Sequence, residues 1–245
     1  MSDEKDRIDR TVSRLTRRAF VTGGVAAAVG VGAYKFLRTR PPEDGVAWPF
    51  RKVLRSNESL ARAYFSPSRL TPTFRPQDIT RARINGHIGL TRDYDPESWR
   101  LRVEGAAAPV ALTMDALHEL PMHEMISELR CIEGWSIIVK WKGVRMRDFI
   151  ERYPPPQAVR YMAIETPNRG YYVGLDMESA LHPQTLLVHE MNDTPLSWEH
   201  GAPLRLAIPV KYGIKNIKRI ATIRYTDVRP PDFWGNQGYD WYAGF

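Results

Sequence analysis

The chain has 245 residues, 43% of them hydrophobic, with 19 prolines and 17 glycines. That length holds one or two domains with enough apolar mass for a core, and the turn formers favour many short elements over long helices. The net charge of +7 gathers in residues 1–40, which hold nine Lys/Arg against four Asp/Glu, while the remainder holds 26 against 24. Such a distribution argues against a protein that grips a nucleic-acid backbone.

At the N-terminus, Thr16-Arg17-Arg18-Ala19-Phe20-Val21 precedes a small-residue apolar run from Val21 to Ala33. A charged region followed by a mildly hydrophobic one reads as an export signal. The arginine pair resembles a twin-arginine signal, with valine where leucine often follows the phenylalanine. Cleavage after Val31-Gly32-Ala33 would leave the rest in the periplasm. The alternative is a retained membrane anchor: Ala19–Leu37 is barely long enough to span a bilayer and carries Lys35. Pro41-Pro42-Glu43-Asp44-Gly45 has the composition of a linker. Pro49, Pro67, Pro72 and Pro76 interrupt residues 46–80, which are expected to be irregular. The plan is therefore a signal or anchor over 1–40, a linker and extension over 41–80, and the folded domain over 81–245.

Within that domain, Trp99-Arg100-Leu101-Arg102-Val103-Glu104 alternates apolar and charged residues, the mark of a half-buried strand. Thr113 caps a short helix through Leu120. Glu124–Ile132 is strand-like. Met146–Tyr153 is helical and stops at Pro154-Pro155-Pro156. Val159–Glu165 is a strand and Asp176–Leu181 a short helix. Thr185–Glu190 and Pro195–Trp198 form a hairpin around Asn192-Asp193. Leu204–Val210 and Ile217–Tyr225 are strands rich in β-branched residues. Short helices and many strands without regular alternation indicate an α+β fold on mixed or antiparallel sheets.

Cys131 is the single cysteine. It cannot form an internal disulfide or a thiolate zinc site alone, and no C-x-x-C-H is present for covalent haem. It can offer one soft thiolate to a metal that brings its other ligands. Walker, dinucleotide-binding, zinc-protease and serine-hydrolase motifs are absent. The six histidines show no zinc spacing; His118 and His123 straddle Pro121 and read as structural.

Four segments stand in register: Arg130-Cys131-Ile132-Glu133-Gly134-Trp135-Ser136, Ile164-Glu165-Thr166, His200-Gly201-Ala202-Pro203-Leu204-Arg205-Leu206, and Lys211-Tyr212-Gly213-Ile214-Lys215-Asn216-Ile217-Lys218. Ala180-Leu181-His182-Pro183-Gln184-Thr185-Leu186 adds a fifth between the second and third. Their order and spacing resemble the sulfite-oxidase superfamily of molybdopterin enzymes. Within it they look most like the catalytic subunits of periplasmic protein-methionine-sulfoxide reductases. The resemblance covers about Arg81 to Val228.

The resemblance implies a sulfite-oxidase-like fold and one molybdenum-molybdopterin per chain, with no haem in this chain. It makes Cys131 the one protein ligand to molybdenum. It gives the pterin's terminal phosphate to Arg205 and Lys218, with backbone donors from Asn216 and Ile217 and a contact from His200, where the methionine-sulfoxide reductases tend to have asparagine. Arginine offers a planar fork and lysine a point charge to phosphate. Thr166 would hydrogen-bond the pterin; a threonine at a strand end is the plainer reading. Arg83, Gly86 and His87 take their candidacy from position in the N-terminal cofactor segment, whose sequence fits neither subfamily fully. Glu133, two residues from Cys131, would share its face if both lay in a strand, and would tune the metal, relay protons or merely pair with a neighbouring charge. Trp135 and Trp141 would pack the pocket floor. Lys211 reads as part of a solvated basic face.

The resemblance implies oxygen-atom transfer, with reduction of a sulfoxide such as methionine sulfoxide by electrons from a membrane haem-b subunit or another quinol-linked cytochrome. The rivals are sulfite oxidation with a cytochrome acceptor, drawing on Arg83, Arg130 and Arg169, and a cofactor-free binding module. A carboxylate beside the metal would repel sulfite.

Overall fold

Leu101 and Val103 turn inward from a four-residue strand while Arg102 turns to solvent, as the alternation requires. The computed structural model that places them describes residues 2–43, 45–91, 95 and 97–245; Asp44 of the linker lies outside the described residues. Two units emerge, one up to Val53 and one from Leu54 to Phe245. The first holds helix α1 (Ser2–Thr39), whose stretch Ser13–Thr39 is long and apolar enough to cross a membrane. Helix α2 (Trp48–Tyr64) runs across the division.

α2 overturns the expectation of irregular chain over 46–80. Pro49 lies in its first turn, where a missing N–H costs nothing, and no proline follows until Pro67. From Phe65 to Trp99, among the described residues, the chain carries a 3-10 turn at Pro76–Asp78 and an isolated bridge from Thr73 to Ser127.

Two five-stranded sheets make up the second unit. The first joins β1 (Leu101–Glu104), β2 (Val110–Leu112), β5 (Tyr161–Glu165), β6 (Tyr172–Asp176) and β10 (Thr222–Thr226) in the order β2-β1-β10-β5-β6. Only β1 and β10 run parallel, so this sheet is mixed. The second is antiparallel: β3 (Met122–Arg130), β4 (Ser136–Arg145), β7 (Leu186–Met191) and β8 (Thr194–Pro195) in that order, with β9 (Arg205–Ala207) beside β7. Helices α3 (Met114–His118), α4 (Met146–Arg152) and α5 (Met177–Ala180) are short, and Thr113 and Asp176 cap the first and last through their side-chain oxygens. The fold is α+β.

Met162, Ile164, Val173, Leu175, Leu206, Ile223, Phe149 and Leu117 belong to one buried core that both sheets share. Val139, Trp141, Leu186 and Val188 form a second cluster. Its Trp141 closes the floor of the cleft described below.

Several expected strands change extent. β4 and β6 went unread. In β4 a bulge at Lys142/Gly143 shifts the alternation, so Val139, Trp141, Gly143 and Val144 are all buried. β6 is buried at four consecutive residues and shows no period. The strand expected over Ile217–Tyr225 begins only at Thr222, because Arg219 turns left-handed with φ 48° and residues 211–220 form a loop. The Asn192-Asp193 turn holds both residues at positive φ, as a tight hairpin demands, although β8 is only two residues long.

Candidate active site

β3 ends at Arg130, so Cys131 is not in a strand. It opens a tight turn: its N–H donates to Trp135 O at 2.9 Å, and Gly134, at φ 86°, donates to Cys131 O at 3.1 Å. Positive φ is why glycine stands there. This corrects the expected geometry of Glu133. Strand alternation does not bring it to the cysteine; the turn does, and both line one cleft.

That cleft has an empty volume of about 1000 Å3. Arg83, Gly86, Cys131, Glu133, His200, Arg205, Asn216 and Lys218 all line it, together with Trp135 and Trp141. Residues separated by more than a hundred positions thus converge on one cleft. Three nominated residues stand outside the lining. Thr166 is buried one layer back, where its hydroxyl is spent within the protein: it accepts from Tyr171 N at 3.1 Å and lies 3.1 Å from Asn168 Oδ1. Ile217 belongs to the core, with its carbonyl taken by Leu206 N and its N–H given to Lys215 O. His87 is exposed and stacks on Trp198, ring centroids 5.3 Å apart.

The thiol end and the basic end have different chemistry. Cys131 is 7% exposed. Burial pushes its thiol pKa up; the Glu133 carboxylate adds to the rise, and a Glu133 backbone N–H and Arg83 oppose it. Asn85 Nδ2 lies 3.7 Å from the sulfur. Asn85 was not among the sequence candidates, although it sits inside the nominated segment; a short amide donor gives no signal distinct from a turn residue.

At the other end, Arg205 donates to His200 O at 3.1 Å and Asn216 O at 3.4 Å, its guanidinium 4.9 Å from the Trp141 ring centre. Its Nε is buried with no hydrogen-bond partner, and burial lowers its pKa to about 10. Lys218 gives its donors to three carbonyls, of Asn85 (2.9 Å), Gly86 (3.0 Å) and Glu199 (2.8 Å). Burial, then Arg205, lowers its pKa to about 7, and burial with the same two cations lowers that of His200 to about 4. Gly201, at φ 98°, lets this loop press close: a Cβ there would stand 2.6 Å from Lys218 Cβ. No carboxylate pairs with Arg205 or Lys218 among the described residues. A buried Arg205 and a half-buried Lys218 without a counter-anion are costly, and an anion from a ligand removes that cost. The donor set therefore fits a phosphate-bearing ligand at one end and a thiolate-seeking metal at the other.

Arg130 and Arg169 lie outside the lining, turned to Glu128 at 2.7 Å and Glu165 at 2.9 Å. Lys211 is buried, not solvated: its Nζ sits 2.8 Å from the Tyr242 ring centre and 3.9 Å from Asp176, and burial holds its pKa well below the ordinary range. His118 and His123 line no part of the cleft; His123 pairs with Asp148 at 3.0 Å.

Residues 87–234 match the family model described as oxidoreductase molybdopterin binding domain. A protein-methionine-sulfoxide reductase catalytic subunit, MsrP, of Xanthomonas campestris is 36% identical over 253 residues, covering 92% of this chain and 74% of that one. A chain of Azospira oryzae named provisionally as a protein-methionine-sulfoxide reductase subunit, YedZ1, is 31% identical over 93% of this chain and 86% of its own. Among solved structures, the sulfane dehydrogenase SoxCD of Paracoccus pantotrophus superposes with a TM-score of 0.52 at 16% identity, over 56% of this chain and 40% of that one, a likeness of fold. This chain belongs to the oxidoreductase molybdopterin-binding domain family and is a molybdopterin-dependent oxidoreductase.

Proposed function

We propose that this oxidoreductase reduces a sulfoxide, foremost methionine sulfoxide in a peptide or protein, in the periplasm, with electrons from a membrane haem-b subunit or another quinol-linked cytochrome. Relatives whose names carry that activity support the reading. The balance is R2S=O plus two electrons and two protons to R2S plus water, so the electrons must reach the chain from a donor. When bound, a single molybdenum-molybdopterin supplies a two-electron centre able to accept the sulfoxide oxygen.

The chain's own residues have assigned parts. Cys131 is the protein ligand to the metal. Arg205 and Lys218 take the terminal phosphate, with His200 and Asn216 beside them; Arg83 and Gly86 belong to the segment that runs between Cys131, beside Asn85, and Lys218, which donates to the Gly86 carbonyl. Trp135 fixes the mouth: its Nε1 donates to Glu133 Oε2 at 2.8 Å, and the Arg83 guanidinium lies 4.4 Å from its ring centre. Glu133 is thereby held where protons must enter, and we assign it their relay.

The observation that carries the choice of substrate is the charge balance of that mouth. One arginine and one carboxylate meet on a single indole, which suits a neutral, strongly dipolar sulfoxide. Sulfite oxidation is the second reading, with Arg83 in its favour; a sulfite anion calls for converging cations, and Arg130 and Arg169 are engaged elsewhere. Turnover of methionine sulfoxide with reduced benzyl viologen, set against turnover of sulfite with ferricyanide, tests the assignment. Sulfite turnover alone would reverse it, and purified protein without stoichiometric molybdenum would favour a binding module instead.

A further inference from the structure

Trp234 and Tyr239 stand on the C-terminal segment, the first at the end of the family match and the second beyond it, yet both line the cleft that holds Cys131. Their rings meet edge to face, centroids 5.1 Å apart. Phe233 packs behind Trp234 at 5.4 Å and touches Tyr171, another lining residue, at 5.1 Å. Tyr171 is in turn fixed by a hydrogen bond from its hydroxyl to Ile214 O at 2.5 Å. The rings thus form a braced wall, and its outer member Tyr239 is 41% exposed.

The wall is pinned to the loop that carries Asn216 and Lys218. Asp232 accepts from Lys215 Nζ at 2.6 Å, from Gly174 N at 3.2 Å and from Gly235 N at 2.9 Å, and is 1% exposed. Large rigid rings at a mouth without net charge recognise an apolar arm by area and ring packing, with little ordering cost.

We propose that Trp234 and Tyr239 are specificity-determining residues: together they bind the apolar arm of a sulfoxide while its S=O points down the cleft. The inference rests on the sulfoxide reading above and deepens it. It predicts preference for sulfoxides with an apolar or aromatic arm over those with two small substituents.

The test compares methyl p-tolyl sulfoxide with dimethyl sulfoxide in molybdenum-loaded enzyme driven by reduced benzyl viologen. In Trp234→Ala and in Tyr239→Ala the ratio of kcat/KM for the two substrates falls roughly tenfold, the loss of one good ring contact. Pterin content and the Mo(V) electron-paramagnetic-resonance signal stay at wild-type level, and Trp234→Phe restores most of the ratio. An unchanged ratio with intact cofactor would overturn the assignment. Calorimetric binding of the product methyl p-tolyl sulfide separates the two proposals. If no sulfoxide is reduced by the wild type, the functional reading fails, while sulfide binding weakened by both alanine variants still upholds the binding role of the two rings and equal binding refutes it.

Discussion

A single sulfur and two cations without a carboxylate partner, Cys131, Arg205 and Lys218, line one cleft. Cys131→Ser should abolish sulfoxide turnover and leave pterin content largely intact, since the phosphate end is untouched; chromatography of the released pterin checks it. Arg205→Ala should weaken cofactor retention by about 1.5–3 kcal/mol, the scale of a charged hydrogen bond, read as pterin lost on dialysis. Lys218 gives a pH dependence of defined sign. Its folded pKa of about 7 lies below the unfolded value, so above pH 7 the unfolded chain binds more protons, and the cofactor-free protein gains stability from this group as pH rises toward the unfolded pKa. Phosphate capture needs the ammonium and runs the other way: affinity for the pterin falls as pH rises above 7, by up to roughly tenfold per unit. Lys218→Arg should flatten that dependence in a fluorescence titration of cofactor-free protein. Most of these residues were legible because chemistry restricts their type: thiolate, guanidinium and ammonium have few substitutes. Asn85 was not, since an amide near a sulfur looks in sequence like any turn residue.

At the level of elements, the site depends on close backbone approaches that only glycine permits. A Cβ on Gly143 would stand 2.0 Å from Leu187 O and 2.6 Å from Val188 Cα, where β4 bulges against β7. Gly143→Ala should cost about 3 kcal/mol, the upper end of overpacking, and lower Tm by roughly 6–12 °C in a calorimetric scan. The same bulge hid β4 from sequence reading, because period-2 alternation fails where one residue is added. Strands with clean alternation, such as β1, were read within two residues of their ends. α2 hides from its sequence for a different reason: the prolines over 46–80 suggest broken chain, but Pro49 in a first turn starts a helix instead of breaking one. Residues 217–221 looked like the start of a strand because β-branched residues recur from Ile217 on; Arg219 at positive φ and the buried ammonium of Lys215 hold the chain in a loop there.

For the whole molecule, the sequence reads as an N-terminal signal or anchor followed by a domain. The helix through Ser13–Thr39 carries Arg17 and Arg18 at the start of its apolar stretch. Replacing both by lysine should leave the protein in the cytoplasm of its native host and deplete the periplasmic fraction, as followed by immunoblot; unchanged distribution would remove the twin-arginine assignment. The α+β class followed from counting short elements, whereas the pairing of strands into two sheets did not, because partners such as β1 and β10 lie 120 residues apart in register.

Asp232 clamps the aromatic wall onto the loop beneath it. The two are therefore joined through a buried ion pair, and a shift of backbone that widened the mouth would strain the loop that carries Asn216 and Lys218. On such a scaffold, exchanging rings on the frame alters the mouth without straining the loop below, so divergence in preference among chains of this build should be sought first in the side chains at positions 234 and 239.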